Sequence, residues 1–311
     1  MKKIKIGKTD IEVSVISLGA MYFGSKINSE TSNKILDKFS SAGGNFIDTA
    51  NIYAHWIEGY KGGESESFLG DWMIERKNRR DLIIATKTGI EYPGSERGLR
   101  KYQIIQECEK SLSRLKTDYI DIYFSHYDDT ETPVDETLEA FEELKRDGKI
   151  RATGASNFSK EQFAKSISLS KEKKIIGYSC LQQRYSYLMP SKEFSFNNQV
   201  ILDSETKIFC GKNNISVLAY SPLLGGLYSG VKYELSKFYE TKLNDKKLKM
   251  LERIEVETGF TKNQIVLCWL LNSNPPVIPV LGVSSKAQLE ENLTAEKLKL
   301  DFEHFKILNS L

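Results

Sequence analysis

Eight short apolar runs, rich in Ile and Val and mostly separated by helical patterns, constrain this chain more than any other feature. They lie at Ile16–Leu18, Asn45–Ile47, Leu82–Ala85, Ile120–Phe124, Ile150–Gly154, Ile175–Leu181, Val217–Tyr220 and Val277–Val280. Strands that alternate with helices pair in parallel, and eight such units predict a closed (β/α)8 TIM barrel of the α/β class. A length of 311 residues suits that architecture. No Pro- or Ser-rich linker divides the chain, so residues 1–311 are read as one domain. Lys3–Ile6 and Ile11–Ile16 flank GKTD and predict an N-terminal β-hairpin. Pro190–Asp203 and Leu223–Asn244 lack a clear period and read as long loops after strands six and seven. That places them on the C-terminal face of the barrel, where loops carry function.

The helix signals support the alternation. Thr132-Pro133-Val134-Asp135 predicts an N-cap at Thr132 with proline at the first helical position. Val134, Leu138, Phe141 and Leu144 follow helical spacing, and Gly148 stops that helix. Ile104, Ile105, Cys108, Leu112 and Leu115 mark a second apolar face, and Glu303–Asn309 reads as a terminal helix.

Charge and cysteine usage narrow the function classes. A formal net charge of +2 selects neither nucleic acid nor an anionic membrane as partner. The clusters KEKK at 171–174 and KKLK at 246–249 read as solvated helix faces. The four cysteines, at 108, 180, 210 and 268, form no CxxC pair, which argues against a metal or redox motif. Free thiols suit a reducing compartment, so the expected location is cytoplasmic. The basic start MKKIKIGKTD lacks the apolar core of a secretion signal. IVLCWLL at 265–271 is too short to span a membrane. GKT at 7–9 lacks the upstream glycine of a P-loop, and no G-x-G-x-x-G occurs.

The barrel demands that functional side chains gather at C-terminal strand ends. Asp48 ends strand two, Tyr53 lies one turn later, Lys87 ends strand three and His126 ends strand four. Ser156 and Asn157 end strand five, Gln182 strand six, Tyr220 and Ser221 strand seven, and Gly282–Ser285 strand eight. An acid, a phenol, an ammonium and an imidazole together make a proton-donating site. Lys87 stabilises a phenolate, so it is expected to lower the pKa of Tyr53 from about 10 and make it a general acid. His55 and Trp56, in the same loop as Tyr53, are candidate substrate-pocket residues. His304 reads as a solvated residue of the last helix.

The motifs carrying these residues resemble the aldo-keto reductase superfamily over nearly the whole chain. GGNFIDTANIY at 43–53 is similar to its second-strand motif, and IIATKTG at 83–89 to its lysine segment. DYIDIYFSHYDD at 118–129 and GKIRATGASNF at 148–158 resemble its histidine and fifth-strand motifs. AYSPLLGG at 219–226 and IPVLGVSSKAQLEEN at 278–292 resemble its cofactor segments. GGESESFLGDW at 62–72 is typical of longer bacterial members.

The resemblance implies an NADP(H)-dependent oxidoreductase that reduces aldehydes or ketones. Tyr53 would donate a proton to the carbonyl oxygen as hydride arrives from the nicotinamide. Asp48 would hold Lys87, and His126 would orient the carbonyl. Ser156, Asn157 and Gln182 would hold the carboxamide and Tyr220 would stack on the ring. Ser221, Leu223 and Gly225 would line the pyrophosphate channel. Ser284, Gln288, Glu291 and Asn292 would hold the adenosine end. Gln288 stands where many short-loop members carry an arginine for the 2′-phosphate, so Lys286 is the nearest cation, and NAD(H) is the weaker alternative cofactor. Two other readings stay open: a redox-sensing regulatory partner like potassium-channel β subunits, and a barrel aldolase using Lys87 as a Schiff base. The expected partner is a small carbonyl compound, and neither its identity nor the oligomeric state is legible.

Overall fold

The computed structural model of the chain describes residues 1–310. A two-stranded antiparallel hairpin comes first, β1 (Lys3–Lys5) with β2 (Glu12–Ser14). Eight parallel strands then close into a barrel: β3 (Ser17–Gly19), β4 (Phe46–Asp48), β5 (Ile83–Thr88), β6 (Ile120–Ser125), β7 (Ile150–Ser156), β8 (Cys180–Arg184), β9 (Ser216–Tyr220) and β10 (Val277–Leu281), with β10 pairing back to β3. The helices are α1 (Ser29–Ser41), α2 (Glu64–Arg76), α3 (Lys101–Leu115), α4 (Val134–Arg146), α5 (Lys160–Lys173), α6 (Ser204–Asn213), α7 (Lys242–Thr258), α8 (Lys262–Leu271), α9 (Lys286–Leu293) and α10 (Phe302–Leu308). The expected hairpin and barrel are both present. Among the described residues, no helix is long and apolar enough to cross a membrane.

Two cores result from the period-two alternation of the strands. Inward residues Phe46, Ile83, Ala85, Ile122, Phe124, Ala152, Cys180, Leu218, Ile278 and Val280 fill the barrel lumen. Ile6, Ile11 and Val13 of the hairpin join that cluster, so the hairpin plugs the N-terminal end. Asn45 ties the plug down: its Oδ1 accepts from Ser14 N at 2.7 Å and its Nδ2 donates to Glu12 O at 2.9 Å. Outward residues such as Ile47, Ile84, Tyr123 and Leu181 meet the helices in the larger core. With the bottom sealed and the lumen packed, only the C-terminal mouth is left for chemistry.

Three local expectations need correction. Strand six begins at Cys180, not Ile175. The amide of Ile175 closes the end of α5 on Ser170 O, and that of Ile176 donates to Glu142 Oε2, so both are taken from the ladder. The α4 N-cap is Pro133 rather than Thr132, because the Thr132 hydroxyl donates to Asp129 Oδ2 at 2.6 Å. Leu223–Asn244 is not wholly loop. It contains 3-10 turns at Leu224–Ser229 and Glu234–Tyr239 and the first residues of α7. Pro190–Asp203 is irregular, as its missing period suggests.

Candidate active site

Strand register alone brings the acid and the ammonium together. Asp48 pairs with Ala85 across β4 and β5, and Lys87 lies two residues further along the same inward face. Lys87 is wholly buried and all three of its protons are placed. Its Nζ donates to Asp48 Oδ2 at 2.6 Å, to Thr49 O at 2.8 Å and to Tyr53 Oη at 3.0 Å. The other Asp48 oxygen accepts from Gln182 Nε2 at 2.8 Å, across the barrel mouth. The His126 ring lies edge-on to Tyr53, with centroids 6.1 Å apart. The four side chains named from sequence therefore form one cluster. Lys87 and Gln182 occupy positions just inside their strands, which end at Thr88 and Arg184.

A buried polar scaffold behind β5 fixes the loop that carries Tyr53. Thr86, on the outward face, donates to Glu66, and Arg114 pairs with the second oxygen of Glu66 at 2.6 Å. Asn51 Nδ2 donates to Glu107 Oε2 at 2.7 Å, and the Asn51 amide reaches Lys87 O. Asn51–Ile57 then runs through successive turns, with Ala54 at φ +81°. Four of the eight other non-glycine residues with positive φ are helix C-caps; Ala54 is not, so backbone strain here marks a position that the surroundings enforce.

The electrostatics correct one expectation. Burial pushes the Tyr53 phenol up; the nearby Lys87 ammonium pulls it down, and the Asp48 charge adds to the rise. The net direction is above the ordinary value, not below it. Desolvation of a phenolate outweighs one favourable cation that is itself shared with a carboxylate. Burial also acts against the Lys87 ammonium, but Asp48 and Tyr53 more than compensate and hold it charged. Burial, and then the Lys87 charge, push His126 well below the usual histidine range, so its imidazole is neutral. Among the described residues no group bonds either ring nitrogen, and Nδ1 is buried without a partner.

The expected cofactor residues form two groups. Around the mouth, Asn157 Nδ2 donates to His126 O and Ser156 Oγ, while Tyr220 Oη donates to Asn157 Oδ1 at 2.7 Å. Ser221, Leu223 and Gly225 occupy a tight turn with positive φ at Ser221, Leu224, Gly225 and Gly226. The second group lies at the start of α9. Ser285 caps that helix, and Gln288 folds back so that its Oε1 accepts from Ser284 N and Oγ. Glu291 accepts from Thr261, and buried Asn292 keeps an Oδ1 without a partner. Lys286 is exposed, and its Nζ is 3.8 Å from Glu290. His55 stacks edge-on to the exposed Trp56 at 5.3 Å, beside Tyr53.

The sequence reading missed Arg184. It shares the inward face of β8 with Gln182, two residues away, and that alternation is the signal that could have found it.

The family model described as Aldo/keto reductase family matches residues 15–311. An uncharacterized oxidoreductase of Bacillus subtilis, YrpG, is 32% identical over 100% of this chain and 96% of its own length. A probable voltage-gated potassium channel subunit beta of Arabidopsis thaliana is 28% identical over 95% of this chain and 91% of its own. The thermostable aldo-keto reductase Tm1743, solved with the inhibitor epalrestat, superposes with a TM-score of 0.76 at 29% identity. That match covers 100% of this chain and 99% of that one.

Proposed function

Because the chain belongs to the aldo/keto reductase family, we propose that it is an NADP(H)-dependent reductase of aldehydes or ketones with Tyr53 as its general acid. The observation that carries this reading is the Lys87 ammonium, shared between Asp48 and the Tyr53 hydroxyl at 2.6 and 3.0 Å. The residues present suit a dinucleotide. A neutral His126 with no protein partner, the unpartnered Asn292 Oδ1 and the strained turn after Tyr220 are polar features the fold alone does not require. A bound reduced nicotinamide would supply the hydride. Ser156 and Asn157 would hold its carboxamide together with Gln182, whose Nε2 is already given to Asp48. Ser221, Leu223 and Gly225 would meet its phosphates, and Ser284, Lys286, Gln288, Glu291 and Asn292 its adenosine end.

The protein's own groups handle the proton. A phenol held above its ordinary pKa keeps its proton at neutral pH, which a donor must do. As the carbonyl oxygen gains charge, Tyr53 releases that proton, and the adjacent ammonium stabilises the phenolate left behind. Neutral His126 donates one hydrogen bond to the same oxygen and fixes its orientation. His55 and Trp56 would line the approach of the small carbonyl substrate. Lys87 is a poor Schiff-base nucleophile: its lone pair is protonated and all three protons are engaged. An NADPH-oxidation screen over simple aldehydes, sugars and ketones tests the reading. Turnover that depends on Tyr53 is expected, and tight NADPH binding with no turnover on any carbonyl would favour the second reading, a redox-sensing regulatory partner. That alternative draws on the similarity to the Arabidopsis channel subunit.

A further inference from the structure

Arg184 is a buried cation without a counter-ion. It keeps 7% of its surface exposed, and no carboxylate among the described residues lies within ion-pair distance of it. Its hydrogen-bond partners are neutral: Gln199 Oε1 at an ordinary 3.1 Å, and Tyr239 Oη and Ser221 Oγ at a longer 3.3 and 3.5 Å. The ring of Phe196 covers one face of the guanidinium at 4.1 Å. By contrast, buried Lys87 and largely buried Arg114 each meet an acid. Lys247 is also buried without an acid, but it donates to Tyr187 O at 2.9 Å in a packed interior; Arg184 differs in lying beside a backbone turn, where a costly unpaired charge is suited to an incoming anion.

The surroundings say which anion. Arg184 contacts Ser221, where the turn Ser221–Gly226 begins. Leu223, in the bridge region at φ −108° and ψ 10°, precedes three positive-φ residues. Within the turn the Leu224 and Gly226 amides close on Ser221 O and Leu223 O, which leaves the Leu223 and Gly225 amides as the N–H groups able to meet an anion there. Tyr233, whose hydroxyl also faces Arg184, packs over Gly225. A fork of five donors beside those amides matches a diphosphate, which offers charge and several oxygens at once.

We propose that Arg184 is a cofactor-binding residue whose guanidinium supplies the counter-charge to the dinucleotide diphosphate held by the Ser221–Gly226 turn. This rests on the dinucleotide reading above. The neutral contacts of Arg184 are exchanged for short, charge-assisted ones on binding. Gln199 lies in the segment after β8 and Tyr239 in the 3-10 turn after β9, so the same exchange releases the Arg184 contacts to both.

The test titrates the full chain and its Arg184→Gln and Arg184→Lys variants with NADPH, with inorganic pyrophosphate as competitor, and compares urea midpoints without cofactor. Arg184→Gln is expected to raise the Kd for NADPH about 10- to 100-fold, the range for lost hydrogen bonds to a charged group. Arg184→Lys should recover part of the loss, because it keeps the charge without the fork. Pyrophosphate should compete in the wild type and much more weakly in Arg184→Gln. The cofactor-free midpoint of Arg184→Gln should match or exceed the wild type, since an unpaired charge is removed. A Kd within twofold of the wild type, or a lower midpoint with unchanged Kd, would reduce Arg184 to a loop anchor and overturn the proposal. So would a raised KM for carboxylate-bearing carbonyls at unchanged cofactor Kd. A wild type that binds no dinucleotide fails the function itself, whereas tight wild-type binding indifferent to Arg184 fails this inference alone.

Discussion

At the scale of single residues, the site works through one shared ammonium. Lys87 has no spare donor: Asp48 and Thr49 take two of its protons and Tyr53 the third. Tyr53→Phe removes only the phenolic proton donor, so cofactor affinity should persist while kcat falls by about two to four orders of magnitude. A kcat equal to the wild type's would remove Tyr53 from the mechanism. Lys87→Met should leave the phenol buried beside the Asp48 charge with no cation opposing either. Its pKa then rises further, the basic limb of the pH–rate profile moves to higher pH, and kcat drops by about 100-fold or more. The check is kcat/KM from pH 7 to 11 for both proteins; superimposable profiles would contradict the electrostatic role. These residue types were legible in the sequence because each lies at or just past the end of an apolar run. The net direction of the Tyr53 shift was not, since desolvation depends on what covers the phenol, and no local pattern records that.

At the scale of elements, the start of α9 decides cofactor choice. Ser285 caps the helix and Gln288 spends its Oε1 on Ser284, so Lys286 is the cation left to meet a 2′-phosphate. Its acidic neighbour, Glu290, is held more closely by Lys38, at 2.9 Å against 3.8 Å, which leaves Lys286 able to turn. One or two hydrogen bonds to that charged group favour NADPH over NADH by about one to three orders of magnitude. A lysine lacks the arginine fork, which places the expectation at the lower end. Lys286→Ala should narrow the gap by weakening NADPH alone, read as kcat/KM with each cofactor. An equal loss with both, or a wild type preferring NADH, would show that α9 does not read the phosphate. The sequence also exposed element boundaries unevenly. Gly148 and the Val134–Leu144 spacing located α4, but Ile175 and Ile176 looked like strand because they are apolar and β-branched. Their amides are claimed by Ser170 and Glu142, neither of which is adjacent in sequence.

At the scale of the whole molecule, the barrel buries a histidine that an unfolded chain exposes. The folded His126 pKa lies well below the unfolded value of about 6.5. Between those values the unfolded state binds a proton that the folded state does not, so stability is fully present above about pH 6.5 and declines as pH falls through the window. The slope approaches about 1.4 kcal/mol per pH unit for one proton. His126→Gln should flatten the change in urea midpoint between pH 7 and pH 5.5, and parallel pH dependences in the two proteins would refute the linkage. By itself the sequence determined the repeated strand–helix order, the N-terminal hairpin and the placement of Asp48, Tyr53, Lys87 and His126 at or just past strand ends. Those are properties of local periodicity and of the residue types that terminate each apolar run. Closure of β10 on β3 decided the rest, because it sets residues far apart in the chain side by side. It joins Gln182 to Asp48 across 134 positions of sequence separation. The pairing of β8 with β9, Arg184 opposite Tyr220, sets Arg184 against Ser221 with no acid among the described residues to neutralise it, and only three-dimensional packing determines whether a charge is buried and what stands opposite.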